Sequence, residues 1–172
     1  MLDPIGQQLE PSGLGVQVNL AGILEQASLL TGFPCHFILD TAHRPFYGGE
    51  NLVFAVEDSR RIRVGIRVPR NRTPYTAQVV EMEVLHRKAI EREKIGRFQQ
   101  LISYSSSCDN PVQAPFIALK WADGSPLQWT DSSPADETDR NKVIRAIAQT
   151  NMDLLMVRKK GSFWDKVYSC RC

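Results

Sequence analysis

The sequence lacks a long apolar run and an excess of charge of either sign, and both absences exclude classes of protein. No uninterrupted apolar stretch approaches the roughly 20 residues that a membrane-spanning helix needs, so we expect no segment to cross a bilayer. Lys and Arg number 21 against 19 Asp and Glu, which leaves a formal net charge of +2. Because nucleic-acid binding normally requires a concentrated basic surface, no nucleic-acid partner is predicted.

Cysteine is also scarce, and its spacing matches neither a disulfide framework nor a zinc site. The cysteines are Cys35, Cys108, Cys170 and Cys172, too few for a disulfide-stapled fold in a chain of this length. The last two have no second ligand pair at zinc-like spacing, so we expect two exposed thiols there rather than a metal site. The first residues hold no basic cluster followed by an apolar stretch, as a secretory signal would. A cytoplasmic location is therefore predicted.

The remaining composition is that of a globular protein. The 172 residues are 42% hydrophobic and 23% charged, which favours about one domain. Residues 1–15 carry Pro4, Pro11 and several glycines and are predicted to form a flexible arm. A helix should follow, because apolar residues then recur at steps of three and four. Asn19 can cap its start, and Gly32 can supply the left-handed residue beyond its end.

The middle of the chain has strand patterns with one helix among them. Strands are predicted at residues 36–40, 51–56, 61–68, 98–104 and 115–120, and a helix at residues 76–93 follows the third. In the third strand, basic residues alternate with Ile62, Val64, Ile66 and Val68, so the apolar side chains share one face. These elements predict an α+β fold: a five-stranded antiparallel sheet with an inserted helix, preceded by one helix.

The last part of the chain is predicted to hold a loop and one more helix. Residues 125–138 are rich in Ser, Pro and Asp, as is typical of a loop. A helix over residues 140–157 should be capped by Thr138 or Asp139. Its apolar stripe consists of Ile144, Ile147, Ala148, Met152 and Leu155.

Four segments follow one another along this pattern: Gly48-Gly49-Glu50-Asn51-Leu52-Val53-Phe54, the strand of residues 61–69, Glu81-Met82-Glu83-Val84-Leu85, and the stretch from Asn110-Pro111 to Leu127. In this order they resemble the aminoglycoside-phosphotransferase branch of the protein-kinase-like enzymes, most closely its large fungal subgroup. The resemblance covers about residues 35–155. It implies a kinase-like N-lobe with its leading helix and hinge over residues 16–124. Residues 125–172 would be an incomplete start of the second lobe.

The resemblance also implies a site for ATP. In the family, a glycine loop covers the phosphates, a strand cation contacts them, a helix glutamate orients that cation, and hinge backbone groups bind adenine. The corresponding residues here are Gly48 and Gly49 in the loop, Arg67 in the strand, Glu81 in the helix, and Lys120, Trp121 and Ala122 in the hinge.

Each of these assignments has an alternative. The glycines lack side chains, which lets backbone approach a phosphate, but they can equally serve to permit positive φ in a hairpin. Arg67 can belong to a solvated basic stripe along its strand. Glu83 competes with Glu81, since the two lie about 200° apart around a helix and cannot both point inward. Trp121 can be a core residue.

The chain lacks the motif that would carry out phosphoryl transfer. Each of its 3 histidines is followed two residues later by Ile38, Pro45 or Lys88, never by aspartate. The family's His-x-Asp catalytic loop and its Mg²⁺-binding acid both follow the hinge, and loss of a general base alone costs about 10²–10⁴ in rate. We therefore expect a truncated phosphotransferase-like protein with no catalytic residues, a possible ATP site and an incomplete Mg²⁺ site, inactive alone.

A second hypothesis is a non-catalytic interaction module. The apolar stripe between Ile144 and Leu155 would pack against a second lobe in the family. Without one, it invites self-association or a protein partner.

Overall fold

The computed structural model describes residues 18–122, 124, 130, 134 and 136–160. Residues 158–160 are described as backbone only. The predicted arm, the pair Cys170 and Cys172, and most of the predicted loop over residues 125–138 lie outside the described residues. The elements in order are α1 (Leu20–Thr31), β1 (Cys35–Phe37), β2 (Phe46–Tyr47), β3 (Asn51–Asp58), β4 (Arg63–Pro69), α2 (Thr76–Arg92), β5 (Leu101–Ser105), β6 (Phe116–Lys120) and α3 (Glu137–Lys160).

The strands form one antiparallel sheet in the order β1-β3-β4-β6-β5, with β2 pairing β3 beside β1. The predicted α+β class, the five-stranded path and the helix inserted after its third strand are confirmed. The additional strand β2 falls in a segment that the sequence assigned to a loop. None of the helices in the described segments is long and apolar enough to cross a bilayer.

Between β1 and β2 the chain leaves the sheet, and a threonine replaces the missing strand contacts. The hydroxyl of the fully buried Thr41 accepts the Ala55 N–H at 3.0 Å and lies 2.9 Å from the carbonyl oxygens of Ala55 and Ile38. This stretch turns through Leu39 and Asp40, both with positive φ. Because Leu rarely adopts that conformation, a turn at Leu39 could not be predicted from residue type. The threonine thus satisfies the edge of β3 where no strand pairs with it.

Helix α1 begins and ends as predicted and covers one face of the sheet. The Asn19 side chain accepts the Gly22 N–H at 3.0 Å, and Gly32 follows the helix with φ 77°. The main core lies between this helix and the sheet and includes Ile23, Ala27, Phe54, Val56, Val64, Ile66, Val68, Phe116 and Ala118. Gly22 lies so close to the loop before β6 that an added Cβ would stand 1.7 Å from the carbonyl oxygen of Pro111.

Helix α2 covers part of the opposite face of the sheet. Val80 and Val84 pack there against Ile117 and Leu119 of β6. Helix α3 begins earlier than predicted, and the predicted cap at Thr138 or Asp139 is wrong. Asp136 is the capping side chain, since it accepts the Thr138 N–H at 2.9 Å.

A buried carboxylate fixes the turn between β3 and β4. Asp58, 1% exposed, accepts the backbone N–H groups of Arg60 and Ile62 at 2.8 and 2.9 Å and the Arg60 guanidinium at 3.0 Å. Arg60 also donates to the carbonyl of Thr31 at the end of α1 and lies 3.8 Å above the Phe33 ring. Burial raises the pKa of Asp58, but the hydrogen bonds from Ile62 and Arg60 and the charge of Arg60 outweigh it and hold that pKa below 3.8.

We predict that Gly22→Ala destabilises the protein by about 1–3 kcal/mol, because its methyl group would collide with the backbone at Pro111 and force α1 off the sheet. Gly49→Ala is the matched control: an added Cβ there meets no atom within 4 Å, so its stability should change by less than about 0.5 kcal/mol. Urea unfolding measures both. Equal midpoints for the two variants would contradict the close approach.

We also predict that Asp58 makes stability depend on acid pH. Its pKa is lower in the folded state, so its contribution is complete above the ordinary value of 3.8 and is lost as the pH falls through the folded-state pKa. The stability difference between wild type and Asp58→Asn should therefore be largest near pH 7 and shrink in acid. Urea midpoints at a series of pH values test this, with the exposed Asp109→Asn as control. A pH-independent difference would refute the assignment.

Candidate functional site

The α2 face of the sheet carries an ion pair between a strand and the inserted helix. Arg67 Nη1 of β4 donates to Glu83 Oε1 of α2 at 2.6 Å. The same oxygen accepts from Arg87 Nε and Nη2 at 3.0 and 2.9 Å. The three side chains are 24%, 28% and 17% exposed, in the order Arg67, Glu83, Arg87. One carboxylate thus serves two guanidinium groups, and the cluster keeps an excess positive charge at the surface.

A strand arginine paired with a glutamate of the inserted helix was predicted, but the choice of Glu81 as its partner is wrong. Glu81 is exposed and accepts the Ser106 hydroxyl at 2.9 Å, so it joins α2 to the loop after β5. The cause is the rotation of α2. Val80 and Val84 face the sheet, and residues 81 and 83 flank this buried stripe on opposite sides. Only Glu83 lies on the side of Arg67.

The glycine loop lies between β2 and β3. The Gly48 N–H donates to the Asn51 carbonyl at 2.9 Å, and the Arg70 N–H just beyond β4 donates to the Glu50 carbonyl at 2.9 Å. Neither Gly48 nor Gly49 has a positive φ, so the alternative that they serve left-handed backbone is wrong. A Cβ at Gly48 would meet only the Asn51 backbone, with the oxygen at 3.5 Å and the nitrogen at 4.0 Å, and one at Gly49 would meet nothing within 4 Å. Packing within the described chain does not require glycine at either position.

The predicted hinge begins where β6 ends. The N–H groups of Lys120 and Trp121 already donate to the carbonyls of Gln100 and Arg63, at 2.9 and 3.2 Å. Ala122 and the Lys120 side chain are exposed. The Lys120 and Trp121 donors are therefore engaged within the sheet, and backbone recognition by these two N–H groups would require these bonds to break.

Trp121, the residue just after β6, packs against the sheet. Its indole lies over the Gly65 position of β4, where an added Cβ would stand 3.2 Å from Cε3 and 3.5 Å from Cζ3. Its other neighbour is the Phe46 ring, at a centroid distance of 5.7 Å and an interplanar angle of 34°. Gly65 and Arg67 are two residues apart on one strand, so the indole and the guanidinium lie on the same face of the sheet.

A short sequence signal for this region was missed. Val64-Gly65-Ile66-Arg67 has the spacing of the V-A-I-K strand motif of protein kinases, whose small second residue precedes the cation by two positions. That comparison would have singled out Gly65 together with Arg67. The contact between Gly65 and Trp121 had no such signal, because it joins residues far apart in the chain.

Metal ligands are not gathered anywhere in the described part of the chain: no group of three or more His, Cys, Asp or Glu side chains there is placed to hold a metal ion.

No protein-family model, no curated protein and no solved structure matches the chain.

We predict that Glu83 and Arg67 are energetically coupled and that Glu81 and Arg67 are not. A double-mutant cycle of Arg67→Ala with Glu83→Gln should give a coupling energy of about 1 kcal/mol, within the range for contacting charged residues. The cycle of Arg67→Ala with Glu81→Gln should give less than about 0.3 kcal/mol. Urea unfolding of the six proteins supplies both values. Similar coupling in the two cycles would contradict the rotation of α2 that places Glu83 beside Arg67.

Proposed function

We propose that this chain is a kinase-like nucleotide-binding protein of the aminoglycoside-phosphotransferase type, and that ATP is its ligand. The observation that carries the proposal is the 2.6 Å ion pair from Arg67 to Glu83, which joins the central strand to the inserted helix. It is supported by the strand order β1-β3-β4-β6-β5 and by a helix inserted after β4, which together put a cation, a glycine loop and a strand-to-linker junction on one sheet.

The residues at the phosphate end fit the ligand. Arg67 is held in position by Glu83, which is itself shared with Arg87, so the cluster retains positive charge for a phosphate. Gly48 and Gly49 follow β2 in a loop beside the end of β4, and packing within the chain does not account for their lack of side chains. Glycines there leave the backbone open to close approach by phosphate oxygens.

The residues at the base end fit only if one side chain moves. The space over Gly65 lies on the same face as Arg67, but the indole of Trp121 fills it. A base at this position would need the indole to leave.

Phosphoryl transfer is not proposed for these 172 residues. Bound ATP with Mg²⁺ supplies an activated phosphoryl group, and transfer needs a base for the acceptor hydroxyl and acidic metal ligands. The sequence has no His-x-Asp motif to supply the first. The chain would therefore bind ATP and hold its phosphates at Arg67 without turnover. A cytoplasmic location stays a prediction.

The test is calorimetric titration of Mg-ATP into the wild-type protein and into two arginine variants. Arg67→Ala should weaken binding tenfold or more, since a hydrogen bond to a charged group contributes about 1.5–3 kcal/mol. Arg61→Ala is the matched control, because this exposed residue precedes the other end of β4. Equal losses in both variants, or no binding of Mg-ATP to wild type at millimolar concentration, would contradict the proposal. Phosphate release above the blank would contradict the absence of turnover.

The alternative function is that of an interaction module, and one observation favours it. Ile144, Ile147, Met152 and Leu155 of α3 are 52–58% exposed. An exposed apolar stripe of this kind favours association. Sedimentation separates the two functions: a concentration-dependent dimer that Ile147→Ser abolishes, in a protein that does not bind ATP, would favour the module.

A further inference from the structure

The strongest unexplained feature of the site is the aromatic side chain that covers Gly65. Trp121 lies with two ring carbons 3.2 and 3.5 Å from the point where a Cβ would stand on Gly65. Phe46 contacts the indole at 5.7 Å between ring centroids. Trp121 is nevertheless only half-buried and stands just beyond the end of β6. We call the space between Gly65 and Phe46 the aromatic slot.

We propose that Trp121 is a gate residue: its indole occupies the aromatic slot as an internal ligand, and the planar base of a nucleotide binds there only by displacing it. The proposal rests on the proposed function for the identity of the ligand, a purine nucleotide. It adds that binding is a competition between two planar aromatic groups for one place on the sheet.

The walls of the slot suit a planar base. Position 65 has no side chain, so a ring can lie directly on the β4 backbone. Phe46 pairs with Val53, and Val53 pairs with Arg67, so the Phe46 side chain stands on the same face as the guanidinium. Gly65 and Arg67 are about 6.6 Å apart along the strand. A base over Gly65 and a phosphate at Arg67 would thus be separated by a distance that a ribose can span.

A groove beside Trp121 can accommodate the displaced indole. Trp121 also lines this open groove of about 610 Å³, together with Arg61, Arg63, Gln100 and Leu101. Its backbone N–H is held by the Arg63 carbonyl at 3.2 Å. Rotation about the side-chain bonds moves the ring from the slot to the groove and leaves that backbone bond in place.

A closed gate lowers apparent affinity by the fraction of molecules in which the slot is open. If the indole covers the slot in nine molecules of ten, removing it should tighten base binding about tenfold. A residue that instead stacks on the base would give the opposite sign on removal. The direction of change thus separates a gate from a stacking platform.

The first experiment titrates free adenine, which has no phosphate, into the wild-type protein and Trp121→Ala by calorimetry. Adenine should bind Trp121→Ala at least tenfold more tightly than wild type. Adding Phe46→Ala to Trp121→Ala should abolish the gain, because it removes one wall of the slot. The exposed Lys88→Ala, on α2 beside Tyr104 and outside the slot, is the control and should leave adenine binding unchanged. Equal or weaker adenine binding by Trp121→Ala, or none by either protein, would overturn the proposal.

The second experiment does not depend on how Trp121→Ala folds. In a chain carrying Trp129→Phe and Trp164→Phe, Trp121 is the single tryptophan. Saturation with adenine or Mg-ATP should shift its emission to longer wavelength as the indole moves into the solvent-filled groove. An emission maximum unchanged at saturation with either ligand would overturn the gate.

The two proposals fail in different ways. If Mg-ATP binding depends on Arg67 while Trp121→Ala gains nothing for adenine, the nucleotide site stands and the gate is refuted. If Trp121→Ala gains adenine binding while Mg-ATP binding ignores Arg67, the gate over an aromatic slot stands and the proposed function is refuted.

Discussion

Strand β4 has to satisfy two different environments at once, and the rest of the fold depends on how it does so. Val64, Ile66 and Val68 face α1 and belong to the main core. The residues between them face the other way, where α2 covers the sheet only in part. Because side chains alternate along a strand, any residue that serves the second face is held in place by apolar neighbours buried on the first. This is what allows a charged side chain to be fixed in the centre of the sheet.

The second face is held together by fewer apolar contacts and more charge. Val80 and Val84 of α2 meet Ile117 and Leu119 of β6 there. Beside them, Glu83 accepts from two arginines, one on the strand and one on its own helix. The carboxylate therefore sets the position of α2 relative to β4 as well as the direction of Arg67.

Local signals in the sequence were enough to predict most of the architecture. The Asn19 cap, the Gly32 terminus and the alternation in residues 63–68 each depend on neighbours a few positions apart, and these were confirmed. The assignment of Ile62 to the same apolar face was wrong, since Ile62 precedes β4 and is 46% exposed. The short strand β2 was missed because it has only 2 residues, both exposed, which is too short to show the alternation of a strand. In the candidate site, too, local sequence predicted one part and tertiary packing decided the other. A strand arginine paired with a helix glutamate was predicted from the order of motifs, whereas the choice between Glu81 and Glu83 depended on the rotation of α2, which tertiary packing sets.

Arg60 joins two parts of the molecule that the chain itself separates. Its guanidinium binds the Asp58 carboxylate, the Thr31 carbonyl at the end of α1 and the face of Phe33. The last turn of α1 and the loop between β3 and β4 therefore share one side chain, and neither can open without breaking its bonds to the other. Amide protons in these two segments should accordingly exchange with deuterium in a single cooperative opening, as one folding unit.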